Sequence, residues 1–176
     1  MPYIGSHFIS MTLLLKVTSE GAVPMIDDID AKILDILQRK GRTKRNDLAE
    51  AVGLSIPSVG DRLKKLEDSH LILGYHAVLD GKKLGRDITA FIFVTIDSSK
   101  HYSQFIDHAT ALDEILECHA ITGEGSHLLK VRTTNTASLE KLLAKIQAWT
   151  GVQSTRTNLV LSTSKETTRL KVEPAK

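Results

Sequence analysis

From Ile26 onward apolar residues recur with two different periods, and the change of period divides the chain. Ile29, Ile33, Ile36 and Leu37 fall at helical spacing behind Asp27, Asp28 and Asp30, whose charges suit a helix N-terminus. Gly41 stands where that helix should stop, as the residue after its cap. A second helix of about Lys44–Val52 would bury Leu48 and Val52. Gly53-Leu54-Ser55 then supplies a tight turn, with Ser55 placed to cap a third helix. In that helix Val59, Leu63 and Leu66 share an inward face, while Ser58, Arg62 and Lys65 repeat at the same spacing on an outward one. Two helices joined by a short glycine turn, behind a supporting helix, form a helix-turn-helix pattern.

Beyond Ile88 the period shortens. Ile88–Asp97 is rich in β-branched and aromatic residues and predicts a strand. Tyr102–Leu112 predicts a helix through Phe105, Ile106 and Ala109. Strands Ile115–Thr122 and His127–Thr133 flank Gly123-Glu124-Gly125, a hairpin loop. A helix over Ala137–Trp149 buries Leu139, Leu142, Leu143 and Ile146 and closes at Gly151, and Gln153–Ser162 gives a fourth strand. The order β-α-β-β-α-β is the ferredoxin-like unit. Between the halves, Ile72–Gly85 reads as a hairpin or linker. The fold class is α+β in two domains.

Composition narrows the chemistry. The 176 residues carry 23 Lys+Arg against 21 Asp+Glu, a formal charge of +2, too small to argue for nucleic acid by itself. A single cysteine, Cys118, excludes an internal disulfide framework, and no apolar run approaches the roughly 18–20 residues of a membrane span. The seven histidines include no HxxxH pair, so no metal site and no cofactor are expected. Cys118 reads as a small buried hydrophobe. No phosphate loop, hydrolase elbow or paired catalytic carboxylates are present, and the chain is read as a non-enzyme.

Charge distribution says more than net charge. Residues 27–72 balance nine basic against nine acidic residues. Yet Arg39, Lys40, Arg42, Lys44 and Arg45 cluster between the first two helices with no acid among them, and Arg62, Lys64 and Lys65 lie on the third. In helix-turn-helix docking the first helix of the motif crosses phosphates and the second enters the major groove. The DNA-contact candidates are therefore Arg42, Lys44, Arg45, Ser55, Ser58, Arg62, Lys64 and Lys65, with Arg62 the first choice and a salt bridge to Asp61 or Asp68 its bland alternative. Gly60, in mid-helix, fits a close approach to DNA backbone or a tolerated surface glycine.

These residues resemble the Lrp/AsnC (feast/famine) family of transcription regulators. The resemblance runs from Ile26 to about Lys165, through Ile26–Leu34, Gly41-Arg42, Asp47–Ser55, Val59, Arg62–Glu67, Ile72–Tyr75, Leu84-Gly85, Thr122-Gly123, Leu128–Val131, Thr157 and Lys165. It implies a winged-helix-like DNA-binding domain at 26–73, a linker or hinge strand at 74–87 that pairs between subunits, a ferredoxin-like effector-binding and oligomerisation domain at 88–165, and a tail at 166–176. Residues 1–25 lack the basic start and cleavage site of a secretory signal. They read as a non-conforming extension, with Met25 a natural start.

The resemblance further implies a cytoplasmic regulator acting on double-stranded DNA, as a homodimer that assembles as a tetramer of dimers, with an amino acid or related metabolite as effector. It places effector contacts in the loop Gly123, Glu124, Gly125, Ser126, His127. The family loop usually carries an Asp where Ser126 stands and an aromatic where His127 stands. Ser126 brings no charge for a ligand's ammonium group, which leaves room for an altered effector or none. A second resemblance, to sirohaem decarboxylases on the same two-domain plan, would make an enzyme that holds an acidic tetrapyrrole through His76, His119 and His127.

Overall fold

Asp27 opens the first helix: its Oδ1 accepts the Asp30 backbone N–H at 2.8 Å, a side-chain cap for a donor the helix cannot satisfy itself. Helix α1 runs Asp28–Arg39. The computed structural model describes residues 25–174, so the expectation for the N-terminal extension lies almost wholly outside the described residues. Those residues form two compact units, 25–77 with 168–174 and 78–167.

The first unit is three helices. Arg45–Val52 forms α2 and Ile56–Asp68 forms α3. Gly53 ends α2 in the left-handed region, at φ 72°, where only glycine sits without strain. Gly41 does not do the same for α1. It is absent from the left-handed set, and the helix instead stops at Lys40, whose backbone N–H still reaches Ile36 O. Ser55 caps α3 by accepting the Ser58 N–H. The core is small: Ile33, Leu48, Ala49, Val59 and Leu63, edged by Ile29, Ile36, Val52 and Leu54.

The second unit has the order β1 (Ile88–Ile96), a 3-10 turn at Ser99–His101, α4 (Tyr102–Thr110), β2 (Ile115–Ala120), β3 (His127–Thr133), α5 (Thr136–Gln147) and β4 (Val152–Leu159). The sheet is antiparallel in the order β2-β3-β1-β4, the ferredoxin-like arrangement. Strand alternation puts Ala90, Ile92, Val94 and Ile96 of β1 and Leu129 and Val131 of β3 against Phe105, Ala109, Leu139, Leu142 and Ile146 of the helices. A reciprocal capping box starts α5: Ser138 N–H donates to Asn135 Oδ1 at 2.9 Å, and Asn135 N–H to Ser138 Oγ at 3.0 Å. Among the described residues no helix of this unit packs on the opposite sheet face, which presents Phe91, Phe93 and Leu128, each half-buried.

Residues 74–87, expected as a linker or as a hinge strand that pairs between subunits, form no strand within the single chain. Residues 73–80 have no regular structure, and 81–85 make a turn. A strand exists only where its N–H and C=O groups meet a ladder partner, and this single chain provides none there. Leu73, Val78, Leu79 and Leu84 are left strongly exposed.

Candidate nucleic-acid interface and effector loop

Burial of Val59, Leu63 and Leu66 turns the opposite side of α3 outward. Ser58, Lys64 and Lys65 are exposed on that side. The Ser58 and Ser55 hydroxyls lie 2.8 Å apart at its N-terminal end. Arg42 and Lys44, between α1 and α2, and Arg45, the first residue of α2, are exposed. Seven of the eight expected DNA contacts thus sit on the surface of one unit.

Arg62 is placed differently. Its Nη1 donates to Asp27 Oδ2 and Asp30 Oδ1, both at 2.7 Å, and its side chain keeps 29% exposure while that of Asp30 keeps 6%. The partners are not the Asp61 or Asp68 weighed from the sequence but two carboxylates at the start of α1. The guanidinium therefore straps α3 to the N-terminus of α1. The Asp30 backbone N–H, and then Arg62, hold the Asp27 carboxyl below its ordinary range. Nothing near Asp27 or Asp30 in the sequence announces a partner 32 and 35 positions away, so the acids read only as dipole complements.

The C-terminal end of α3 is tied to the irregular chain beyond it by Tyr75, whose hydroxyl donates to Glu67 Oε1 at 2.9 Å. Burial, reinforced by Glu67, pushes the phenol up to about 12.

The five loop residues expected to meet an effector divide into two groups. Gly123 and Gly125 adopt φ 96° and 92°, so the hairpin turns through two left-handed positions that favour glycine. Ser126 is committed to β1. Its N–H donates to Val94 O at 2.9 Å, its hydroxyl to the same oxygen at 3.1 Å, and it accepts the Ile96 N–H at 3.2 Å. His127 is 1% exposed. Its Nδ1 is 3.1 Å from Ser126 Oγ, and because that hydroxyl's proton points to Val94 O, Nδ1 is the ring donor. The His127 ring centroid lies 4.8 Å from those of both Tyr102 and Phe105, and Nε2 has no hydrogen-bond partner among the described residues. Burial pushes its pKa down. Both residues are structural anchors for the loop.

Glu124 alone of the five presents a charge outward, paired with Arg156. The Arg156 guanidinium also lies 4.6 Å over the Phe93 ring, a cation–π contact that fixes it. A shallow cavity of about 200 Å³ opens here between Phe93, Thr95, Glu124, Ser154 and Arg156. Sequence reading missed Arg156, whose place opposite Phe93 is set by the β1–β4 pairing and carries no local signal.

The histidines do not converge. His119 lies opposite Leu128, hence on the other sheet face from His127, and it contacts Glu117 at 3.3 Å. His101 engages Asp97 at 2.6 Å and His108 stacks on Trp149. Among the described residues no group of three or more His, Cys, Asp or Glu is placed to hold a metal ion, and no helix is long and apolar enough to cross a membrane.

A helix-turn-helix with a basic outer face, joined to a ferredoxin-like sheet, defines a two-domain DNA-binding regulator. Residues 26–72 match the winged helix-turn-helix DNA-binding family and residues 89–170 the Lrp/AsnC ligand binding domain. The HTH-type transcriptional regulator FL11 of Pyrococcus furiosus is 34% identical over 149 residues, 85% of this chain and 98% of that protein. The crystal structure of a Neisseria meningitidis transcriptional regulator in complex with L-Met superposes with a TM-score of 0.79 at 33% identity, covering 82% of this chain and 96% of that one. Escherichia coli AsnC gives 0.77 at 32% identity, covering 82% and 97%. The chain belongs to the Lrp/AsnC family of transcriptional regulators. Its relatives are regulators rather than enzymes, which favours that reading over a decarboxylase.

Proposed function

We propose that α3 reads a DNA site through its outward stripe, Ser58, Lys64 and Lys65, while Arg42, Lys44 and Arg45 neutralise the flanking phosphates and the Ser55-capped end of α3 adds its dipole. The observation that carries this reading is the exposure of all seven of these basic and hydroxyl residues on one three-helix unit. Arg62 serves here by fixing how α3 is presented.

The working species is a homodimer, assembling further as a tetramer of dimers, in the cytoplasm. Its support is the sheet face opposite the two helices, with Phe91, Phe93 and Leu128, and the exposed apolar run Leu73, Val78, Leu79 and Leu84. The sheet face leaves apolar surface, and the irregular run leaves apolar surface and unpaired backbone, that a second copy would cover. An amino-acid-like effector, as in the Neisseria relative with L-Met, would meet Glu124 and Arg156, which offer one charge of each sign to an ammonium and a carboxylate.

The test is binding to a DNA fragment from upstream of the chain's own gene, at several salt concentrations, against scrambled DNA. Saturable, sequence-preferring binding that weakens steeply with salt is expected, each phosphate contact adding about 0.9 to the log–log slope. Equal weak binding to both fragments refutes the reading. Repeating the titration with free amino acids, and weighing the particle by light scattering, tests effector and assembly.

A further inference from the structure

The last described residues return to the first unit, and the way they attach is specific. The Gln38 side chain donates through Nε2 to Leu170 O at 3.0 Å and accepts the Leu170 N–H through Oε1 at 2.7 Å. One amide thus satisfies both main-chain groups of one residue, as a neighbouring strand would. Beside it, Arg169 Nε lies 3.8 Å from Asp35 Oδ1, and Asp35 also holds Arg39 at 2.9 Å. Asp35, Gln38 and Arg39 are three and four apart and so share one helix face. The Leu170 side chain stays 74% exposed. The tail therefore attaches at Leu170 by backbone polarity and at Arg169 by charge, with Val172 the partly buried apolar residue beyond them.

We propose that residues 168–174 form a clasp that docks on the Asp35–Gln38 face of α1 and restrains the DNA-binding unit. The chain passes between its two units twice, at 77/78 and at 167/168. The first crossing is irregular backbone; the second ends in this clasp. Helix α1 is also the element whose first turn holds Arg62, so the clasp grips the helix that presents α3. Exposed hydrogen bonds and ion pairs are individually weak, and the clasp is accordingly releasable. Docking is intramolecular and gains from the high effective concentration of a tethered segment. Restraining the DNA-binding unit lowers the ordering cost of engaging DNA. The effect on DNA rests on the regulator reading above; the docking itself does not.

The experiment compares the full chain with a truncation after Thr167, Gln38→Ala, Leu170→Pro and Leu170→Ala. Proline removes the N–H that Gln38 accepts, whereas alanine keeps it. Two readouts are taken: tryptic cleavage at the exposed Lys82–Lys83, followed by mass spectrometry, and DNA affinity by anisotropy. Truncation, Gln38→Ala and Leu170→Pro should each speed cleavage several-fold and weaken DNA binding about 3- to 10-fold. Combining Gln38→Ala with truncation should add nothing, and Leu170→Ala should match the parent chain. Unchanged cleavage in the truncated chain, or affinity that rises on truncation, overturns the clasp. If the parent chain binds no DNA, the regulator reading fails, and the cleavage rates still decide the clasp alone.

Discussion

The two units solve the problem of holding a functional surface in opposite ways. In the first, few apolar residues meet, and charge is recruited into the architecture: Arg62 crosses from α3 to Asp27 and Asp30. In the second, a sheet and two helices enclose a larger core, and the loop at its edge is held by hydrogen bonds to the β1 backbone. Charge in the first unit is used both inside the fold, at Arg62, and on the outer face proposed to meet DNA; in the second the loop is held by uncharged groups. Substitutions in the first unit should therefore separate stability from binding according to which charge is removed.

The largest effect should come from Phe105→Ala. This fully buried ring contacts both His127 and Trp149, and its removal should cost the second unit about 3–5 kcal/mol, seen as loss of the calorimetric transition that belongs to that unit alone. Arg62→Ala comes next. Leaving Asp30 buried without its partner should cost the first unit about 1–3 kcal/mol. DNA binding should fall while the salt slope stays that of the parent, because a strap releases no counterion. Lys65→Ala should do the converse: little change in stability, weaker binding, and a slope shallower by about 0.9. An Arg62→Ala slope reduced by that amount would show that Arg62 meets phosphate directly.

Gly60→Ala gives a finer discrimination. A Cβ there would meet no atom within 4 Å, so α3 should gain about 1 kcal/mol in helix propensity. Stability that rises while DNA affinity falls would assign the glycine to close approach of the DNA backbone. Both rising or holding would make it a tolerated surface residue.

The smallest effect is a pH dependence confined to the second unit. His127 has its folded-state pKa lowered by burial from an ordinary 6.5. A depressed histidine binds its proton more readily once unfolded, so its contribution is present above the ordinary value and fades as pH falls through it toward the lowered one. His127→Phe should flatten the unfolding midpoint of that unit across this range. In the first unit the depressed carboxyl of Asp27 places the corresponding loss lower, below the usual carboxylate range. An identical pH profile in both units would remove the distinction.

Much of this was legible beforehand because it rests on local rules. The periodicity of Val59, Leu63 and Leu66, the Ser55 cap, the glycine turn at Gly53 and the β-branched run of Ile88–Ile96 all express the chain's own short-range preferences, and the elements follow them within a few residues. What local rules cannot supply is pairing at a distance. Arg62 looked outward because its helical spacing with Ser58 and Lys65 is real, yet 29% exposure and two carboxylates on α1 put it to internal use. The family resemblance places Ser126 among the effector contacts, at the position where an Asp is usual, while its hydrogen bonds go to Val94 and Ile96. The hinge strand at 74–87 is likewise implied by the family resemblance, and a strand that pairs between subunits needs a second edge that one chain does not bring. Gly41 fell at the right place for the wrong reason: α1 ends there without a left-handed residue.

The strap between α3 and the start of α1 has a consequence for how such a protein could change its targets. Because the pitch of the reading helix is fixed from behind, at Asp27 and Asp30, an altered carboxylate there would tilt the helix against the groove and retune site preference without touching a base. Diversification of binding sites in this chain would therefore have two routes: new side chains on the face proposed to meet DNA, or small adjustments at the pivot on which that face is mounted.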